Sequence, residues 1–120
     1  MSLKIYVYGK CSTCQNALRF LEKSNLAFIQ KEITLTPPTL AELKQMLVFV
    51  DGDVKKIFNT SGLLYKEMQL SSKFPPLDEA LTLLTQHGML VKRPFLLGAH
   101  FGLLGFKEDQ WIKSFLSKKI

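Results

Sequence analysis

Two cysteines spaced as Cys-x-x-Cys directly follow a short apolar segment, and this arrangement constrains the fold more than any other feature. Residues 3–8 alternate and are rich in Ile, Val and Tyr, which predicts a strand. Gly9-Lys10 interrupts that strand, and from Cys14 onward the apolar residues recur at the spacing of one helix face. Cys11 therefore lies where a strand passes into a helix. We expect its side chain beside the backbone N–H groups that have no partner within the helix.

The position of the two thiols indicates a redox-active pair. A thiol attacks as its thiolate, and the positive end of a helix dipole favours that form. Cys11 is predicted to be the exposed nucleophile, and Cys14, one turn later and more buried, the thiol that resolves the disulfide. The same N–H groups suit an oxyanion or a carboxylate of glutathione. Lys10 adds a positive charge nearby, and the hydroxyls of Ser12 and Thr13 add donors.

Two other interpretations of the cysteine pair stay open. Zinc needs two further ligands, and the only histidines, His87 and His100, match no zinc-finger spacing, so we predict no metal site. The pair could also be two small buried side chains with a purely structural role. A stabilising disulfide is not favoured, because closing so short a loop removes little entropy from the unfolded chain.

The order of predicted elements indicates an α/β fold. After the first strand and helix, residues 27–33 predict a second strand, which suits two parallel strands joined by a right-handed crossover. Residues 39–88 are predicted to form an all-helical insertion. Residues 95–97 and 101–104 predict an antiparallel hairpin, and residues 108–116 a final helix. The 120 residues are thus predicted to form one domain with a mixed β-sheet, in the order β-α-β … β-β-α, which resembles the thioredoxin layout.

Charge and hydropathy restrict the partners. The net charge of +6 favours anionic partners such as oxyanions, glutathione or acidic protein surfaces. The basic residues are scattered rather than gathered into a stripe, so no direct contact with nucleic acid is predicted. No segment approaches the roughly 18 consecutive apolar residues of a membrane span, and the N-terminal apolar run resembles a buried strand rather than a signal peptide. The expected location is a reducing cytoplasm, where paired cysteines are mostly catalytic or redox-sensing.

Four short motifs occur in an order that resembles one known family. They are Cys11-Ser12-Thr13-Cys14-Gln15-Asn16-Ala17, Asn59-Thr60-Ser61-Gly62 followed by Tyr65, Val91-Lys92-Arg93-Pro94, and Gly105-Phe106 followed by Glu108-Asp109. Together they resemble the arsenate reductase (ArsC)-related family. That family also includes the Spx-type redox regulators and the small YffB-like proteins, and the resemblance extends over essentially the whole chain.

The resemblance implies roles for individual residues. Cys11 matches the catalytic or sensing cysteine, and Arg93-Pro94 matches an arginine followed by a cis-proline that faces the active site. Arg93 would then offer paired donors to an anion, with Pro94 and Asn59 contributing to the substrate-binding wall. In the arsenate reductases that this chain resembles, three arginines hold the oxyanion. Because Asn59 and Gly105 stand at two of those positions, we expect arsenate to be a poor substrate.

Two functions of different classes follow from the resemblance. The first is an ArsC-related thiol-disulfide oxidoreductase with no bound cofactor, in which glutathione or thioredoxin serves as the reductant. The alternative is an Spx-type redox-sensing transcriptional regulator that binds the C-terminal domain of the RNA polymerase α subunit. In that case Gly52 would lie in the contact loop. A third option is a family member that acts only as a binding module.

Overall fold

The sheet is organised around its first strand. The computed structural model describes residues 3–117, and β1 (Leu3–Val7) is buried along nearly its whole length. β2 (Phe28–Glu32) pairs with β1 in parallel on one side. β3 (Phe95–Leu97) pairs with β1 in antiparallel fashion on the other side, and β4 (Gly102–Leu104) continues the sheet as the antiparallel partner of β3. The strand order is therefore β2-β1-β3-β4, with β2 and β4 at the edges.

Two helices cover one face of the sheet, and we call them the α1–α5 layer. α1 (Ser12–Lys23) connects β1 to β2, and α5 (Glu108–Ser117) follows β4. The apolar stripe of α1 is buried against the sheet and against Trp111 of α5, because its residues recur with the helical period. α1 ends at Lys23, and Asn25, just after the helix, adopts a positive φ of 56°.

The other face is covered by the helical insertion, which we call the insertion layer. It contains three α-helices and two short 3-10 helices. They are α2 (Leu40–Phe49), α3 (Leu63–Glu67) and α4 (Leu77–Gln86), with 3-10 helices at Val54–Ile57 and Gly88–Leu90. This layer has its own apolar core, separate from the core under the α1–α5 layer. The sheet thus separates two apolar cores, one under each layer of helices.

A polar link holds the start of α2 against β1. Thr39 caps the helix: its side chain accepts a hydrogen bond from the Glu42 amide at 3.2 Å, and the Glu42 carboxylate accepts one from the Thr39 amide at 2.9 Å. The same carboxylate forms an ion pair with Lys4 at 2.8 Å and accepts a hydrogen bond from the Tyr6 hydroxyl at 2.6 Å. Glu42 therefore joins the insertion layer to the central strand.

The predicted α/β fold is confirmed, and the differences from the predicted element bounds are small. The second hairpin strand begins at Gly102 rather than residue 101, because the Phe101 carbonyl accepts a hydrogen bond from the Gly98 amide at 2.9 Å and closes the turn. Among the described residues, no helix combines the length and the apolar character needed to cross a membrane.

Candidate thiol site at the start of the first helix

Cys11 occupies the position that caps α1. Its sulfur accepts a hydrogen bond from the Cys14 amide at 3.3 Å, in the manner of the hydroxyl or carboxylate oxygen of an ordinary N-cap residue. The turn before the helix is closed by the Cys11 amide, which donates to the Tyr8 carbonyl at 3.0 Å. Cys11 is half-buried, whereas Cys14 is buried. This placement agrees with the position predicted from the spacing.

Cys14 lies one turn further along α1 and is fully buried. Burial raises the pKa of the Cys14 thiol, and a hydrogen bond with the Cys11 thiol raises it further. The backbone of Tyr8 and the positive charge of Arg93 act in the opposite direction but do not outweigh burial. Both cysteines are free thiols. Cys14 is therefore a shielded thiol whose pKa lies above its ordinary value.

The loop before Cys11 is held by Glu32 at the end of β2. One carboxylate oxygen of Glu32 accepts a hydrogen bond from the Gly9 amide at 3.1 Å, and the other accepts one from the Thr34 hydroxyl at 3.0 Å. Glu32 was absent from the residues singled out in the sequence. It reaches the loop because the parallel register sets Val7 beside Glu32, and a spacing pattern within one segment carries no signal of that pairing.

Arg93 and Pro94 approach the same region from β3. In the antiparallel register Tyr6 lies opposite Phe95, and continuing it by two residues places Arg93 opposite Tyr8. The Arg93-Pro94 peptide bond is cis, as the family resemblance implied, and Pro94 is buried. The pairing of β1 with β3 therefore brings Arg93-Pro94 next to the loop that carries Cys11.

The guanidinium of Arg93 is positioned by two neighbours. It lies over the ring of Tyr8, 5.3 Å from the ring centre, and its Nη1 donates a hydrogen bond to the Met89 carbonyl at 3.3 Å. Its Nε is buried and has no hydrogen-bond partner among the described residues. The charge lies close enough to the thiols to lower the pKa of Cys14. Arg93 thus places a positive charge beside the dithiol, with its buried Nε left without a partner among the described residues.

The other predicted residues lie on three different segments of the chain. Lys10 and Ser12 are exposed, and Thr13 half-buried, at the start of α1. Asn59 precedes α3, where its amide donates to the Leu90 carbonyl at 2.7 Å. Gly52 does not join the thiol group, because it lies in the exposed turn after α2, with a positive φ of 81°.

Asn59 and Gly105 are neutral residues at two positions where the resemblance implies an arginine. The side-chain oxygen of Asn59 accepts a hydrogen bond from the Ser61 hydroxyl at 3.4 Å. Gly105 has a positive φ of 72° and its amide donates to the Pro94 carbonyl at 2.9 Å, so glycine suits this backbone conformation. Within residues 3–117, no group of three His, Cys, Asp or Glu side chains is arranged to hold a metal ion. The charge beside the thiols therefore rests mainly on Arg93.

The mixed four-stranded sheet with helices on both faces, and a Cys-x-x-Cys pair at the N-terminus of the first helix, define a thioredoxin-like α/β protein. Residues 6–114 match the model of the ArsC family, and the chain belongs to that family. The family predicted from the sequence motifs is thereby confirmed.

Individual relatives agree with this assignment. The Bacillus subtilis (strain 168) protein YusI is 42% identical over 113 residues, which cover 92% of this chain and 96% of YusI. The global transcriptional regulator Spx from the same organism is 25% identical over 116 residues, which cover 97% of this chain and 88% of Spx. An ArsC family related protein from Bacteroides fragilis superposes with a TM-score of 0.86 at 41% identity, covering 94% of this chain and 97% of the other.

Proposed function

We propose that this protein is a thiol-disulfide oxidoreductase of the ArsC family, in which Cys11 attacks and Cys14 resolves. The observation that supports it most directly is the half-buried Cys11 sulfur, which accepts the Cys14 amide at 3.3 Å at the start of α1. A sulfur in that position is stabilised as an anion by the helix end and stays open to a substrate. The proposal places the protein in the cytoplasm, where reducing thiols are abundant.

The reaction proceeds through a mixed disulfide. The Cys11 thiolate attacks one sulfur of a disulfide substrate, a new S–S bond forms, and the departing sulfur leaves as a thiolate that takes up a proton. Cys14 then loses its proton and attacks the Cys11 sulfur, which releases the second substrate thiol. The Cys11–Cys14 disulfide that results is reduced by two glutathione molecules or by the dithiol of a thioredoxin, and the cycle closes with both cysteines as thiols.

Arg93 and the helix amides hold the anionic part of the substrate. The Arg93 side chain as a whole is half-buried, and its guanidinium beside the thiols suits a carboxylate or an oxyanion. Lys10, Ser12 and Thr13 line the same helix start. Asn59 and Gly105 add no charge, and a doubly charged oxyanion would therefore be held by too few cationic groups. Glutathione-like carboxylates suit this site better than arsenate.

A coupled reductase assay tests the proposal. Reduction of hydroxyethyl disulfide is followed through NADPH consumption, once with glutathione and glutathione reductase and once with thioredoxin and its reductase. Turnover should fall to background in Cys11→Ser. Cys14→Ser should accumulate a mixed disulfide at Cys11, seen by intact-mass spectrometry and reversed by dithiothreitol. Turnover that survives Cys11→Ser, or the absence of any adduct in Cys14→Ser, would refute the proposal.

A regulatory function is the second candidate, supported by the similarity to Spx along almost the whole chain. In that case the Cys11–Cys14 disulfide would act as a switch, and the exposed turn at Gly52 would contact the C-terminal domain of the RNA polymerase α subunit. Binding of that domain is measured by calorimetry on the reduced and the oxidised protein, with Gly52→Arg as the interface variant. Redox-dependent binding that Gly52→Arg abolishes, without reductase turnover, would favour the regulator over the enzyme.

A further inference from the structure

The two edges of the sheet differ in how open they are to another strand. The β2 edge carries the exposed residues Ile29 and Gln30 next to Lys31, and a lysine at this position discourages pairing. β4 is short and carries no charged side chain, with the sequence Gly102-Leu103-Leu104. Lys31 therefore discourages strand pairing at the β2 edge, whereas β4 has no charged side chain that would do so.

The hydrogen-bond pattern shows which backbone groups of β4 face outward. The Phe101 carbonyl accepts from Gly98, and the Gly105 amide donates to Pro94, at 2.9 Å in both cases. In an antiparallel ladder, residues that bond to the partner strand alternate with residues that face away from it. The amide and carbonyl groups of Gly102 and Leu104 therefore point out from the sheet. Among the described residues, no hydrogen bond to these four groups is formed.

A cavity of about 540 Å³ lies directly along this edge. Its lining includes the three residues of β4 and the apolar side chains of Phe49, Val50 and Phe58. α2 packs closely on Gly102, since a Cβ there would lie only 2.7 Å from Met46 Sδ and 2.9 Å from Phe49 Cδ2. Cys11 and Cys14 do not line it. The cavity is thus separate from the thiol site and has the unpaired strand edge as one wall.

Charged side chains of both signs line the cavity, three lysines and two aspartates. Lys92 lies at the Gly105 end, where a Cβ on that glycine would be 3.2 Å from Lys92 Cε. The Lys92 amide donates to the Ile57 carbonyl at 2.8 Å, at the end of the 3-10 helix that carries Lys55 and Lys56, and the Lys55 ammonium lies over the Phe74 ring, 5.0 Å from its centre. Asp51 and Asp53 follow the end of α2, and Asp53 directly precedes that 3-10 helix. No ion pair of the three lysines is formed within the described chain. The Gly105 end of the cavity, where Lys92 lies, therefore favours negative charge.

From this combination we infer that the β4 edge binds an extended peptide with acidic residues at one end. The peptide adds a fifth strand through the outward groups of Gly102 and Leu104, places apolar side chains against Phe49 and Phe58, and sets its acidic end near Lys92. This interaction surface is independent of the dithiol, so binding does not require Cys11.

Fluorescence anisotropy with a designed peptide tests the inference. The probe is a short fluorescein-labelled peptide that alternates valine and threonine and ends in two glutamates. We expect saturable binding, with amide shifts at Gly102 and Leu104 in ¹H–¹⁵N spectra. A peptide of the same sequence with N-methyl groups on the edge-facing amides should bind about tenfold more weakly, because it loses backbone hydrogen bonds. Replacing the glutamates by lysines should weaken binding by a similar factor.

Two matched variants locate the site. Leu104→Pro removes an outward amide without touching the bonds to β3, and it should weaken binding about tenfold relative to Leu104→Ala. Circular dichroism checks that both variants are folded, and the N-methylated peptide on the unaltered protein decides the matter if Leu104→Pro is not. Cys11→Ser should bind as the parent does.

Several outcomes would overturn the inference. These are no saturable binding, binding that N-methylation leaves unchanged, or a concentration-dependent dimer of the protein that Leu104→Pro abolishes. The last result would assign the edge to a second copy of the chain rather than to a peptide.

Discussion

The two layers that cover the sheet supply different halves of the candidate site. The α1–α5 layer supplies both thiols, with Cys11 capping α1 and Cys14 buried beneath it. The insertion layer positions the positive charge, because the Met89 carbonyl of its last 3-10 helix accepts a hydrogen bond from Arg93, which lies just before β3. The thiol half contains both free thiols at the start of one helix. The charged half has one guanidinium and neutral groups at Asn59 and Gly105.

We expect the thiols to determine the reaction and the charged groups to determine which substrates bind. Disulfide exchange depends on a reachable thiolate and a second thiol nearby, which a helix start provides without help from the insertion. Holding an oxyanion depends on several charge-assisted hydrogen bonds, which only the opposite layer and the β3–β4 region could provide. We infer that the chain keeps general dithiol chemistry and has little selectivity for a highly charged oxyanion. The predictions below test each half separately.

The largest expected effect is a difference in reactivity between the two thiols. At neutral pH, iodoacetamide should modify Cys11 at least about a hundredfold faster than Cys14, because burial raises the pKa of Cys14 and each pKa unit lowers the thiolate fraction tenfold. Modification of Cys14 should become appreciable only at alkaline pH. Peptide mapping after timed alkylation measures both rates. Denatured protein provides the control, and similar rates in the native protein would contradict the assignment of roles.

Removing the guanidinium should change affinity for anionic substrates more than reaction at the thiol. Arg93→Gln should lower kcat/KM for glutathione-containing disulfides about tenfold, since a charge-assisted hydrogen bond is lost. Hydroxyethyl disulfide attacked in a thioredoxin-coupled assay carries no charge and should be affected much less. Arg93→Lys keeps the charge and should recover only part of the activity, because lysine lacks the planar fork. Equal losses on both substrates would show that Arg93 acts on the thiols rather than on the substrate.

Adding a charge at the insertion side should partly restore binding of an oxyanion. Asn59→Arg is expected to improve inhibition of disulfide reduction by arsenate about fivefold, since the Asn59 amide already fixes this backbone to Leu90. Thr60→Arg, at the exposed neighbouring position, serves as the control for a general gain in charge. If both variants gain equally, Asn59 does not face the anion site.

The thiol half could be predicted from sequence because its signals are local. The strand, the break at Gly9-Lys10 and the apolar spacing from Cys14 to Leu21 all lie within one continuous segment. The burial of Cys14 and the capping position of Cys11 follow from that spacing alone. The capping box of α2 is local in the same way, since Thr39 and Glu42 lie within one turn.

The surroundings of Arg93 could not be predicted in this way. Tyr8 meets Arg93 only because β1 pairs with β3 in one register, and Met89 meets it only because a 3-10 helix ends the insertion. The motif that contains Arg93 indicated that an arginine matters and gave no geometry. Glu32 was missed for the same physical reason, since its contact with Gly9 depends on a pairing across two strands.

The smallest expected effect concerns Glu42, which links the insertion layer to β1 and belongs to neither half of the site. Burial raises the pKa of Glu42, but hydrogen bonds from Lys4, Tyr6 and Thr39 outweigh burial and leave the pKa below its ordinary value of 4.5. A carboxyl whose pKa is lower in the folded state contributes stability above its unfolded pKa and loses it as the pH falls. The free energy of unfolding should therefore decrease as the pH drops below 4.5, and Glu42→Gln should flatten this decrease.

Urea unfolding followed by the fluorescence of Trp111, from about pH 3 to pH 7, measures the slope. Glu22→Gln, on the exposed side of α1, is the matched control, and an equal flattening in both variants would show that the link between Glu42 and β1 contributes nothing specific.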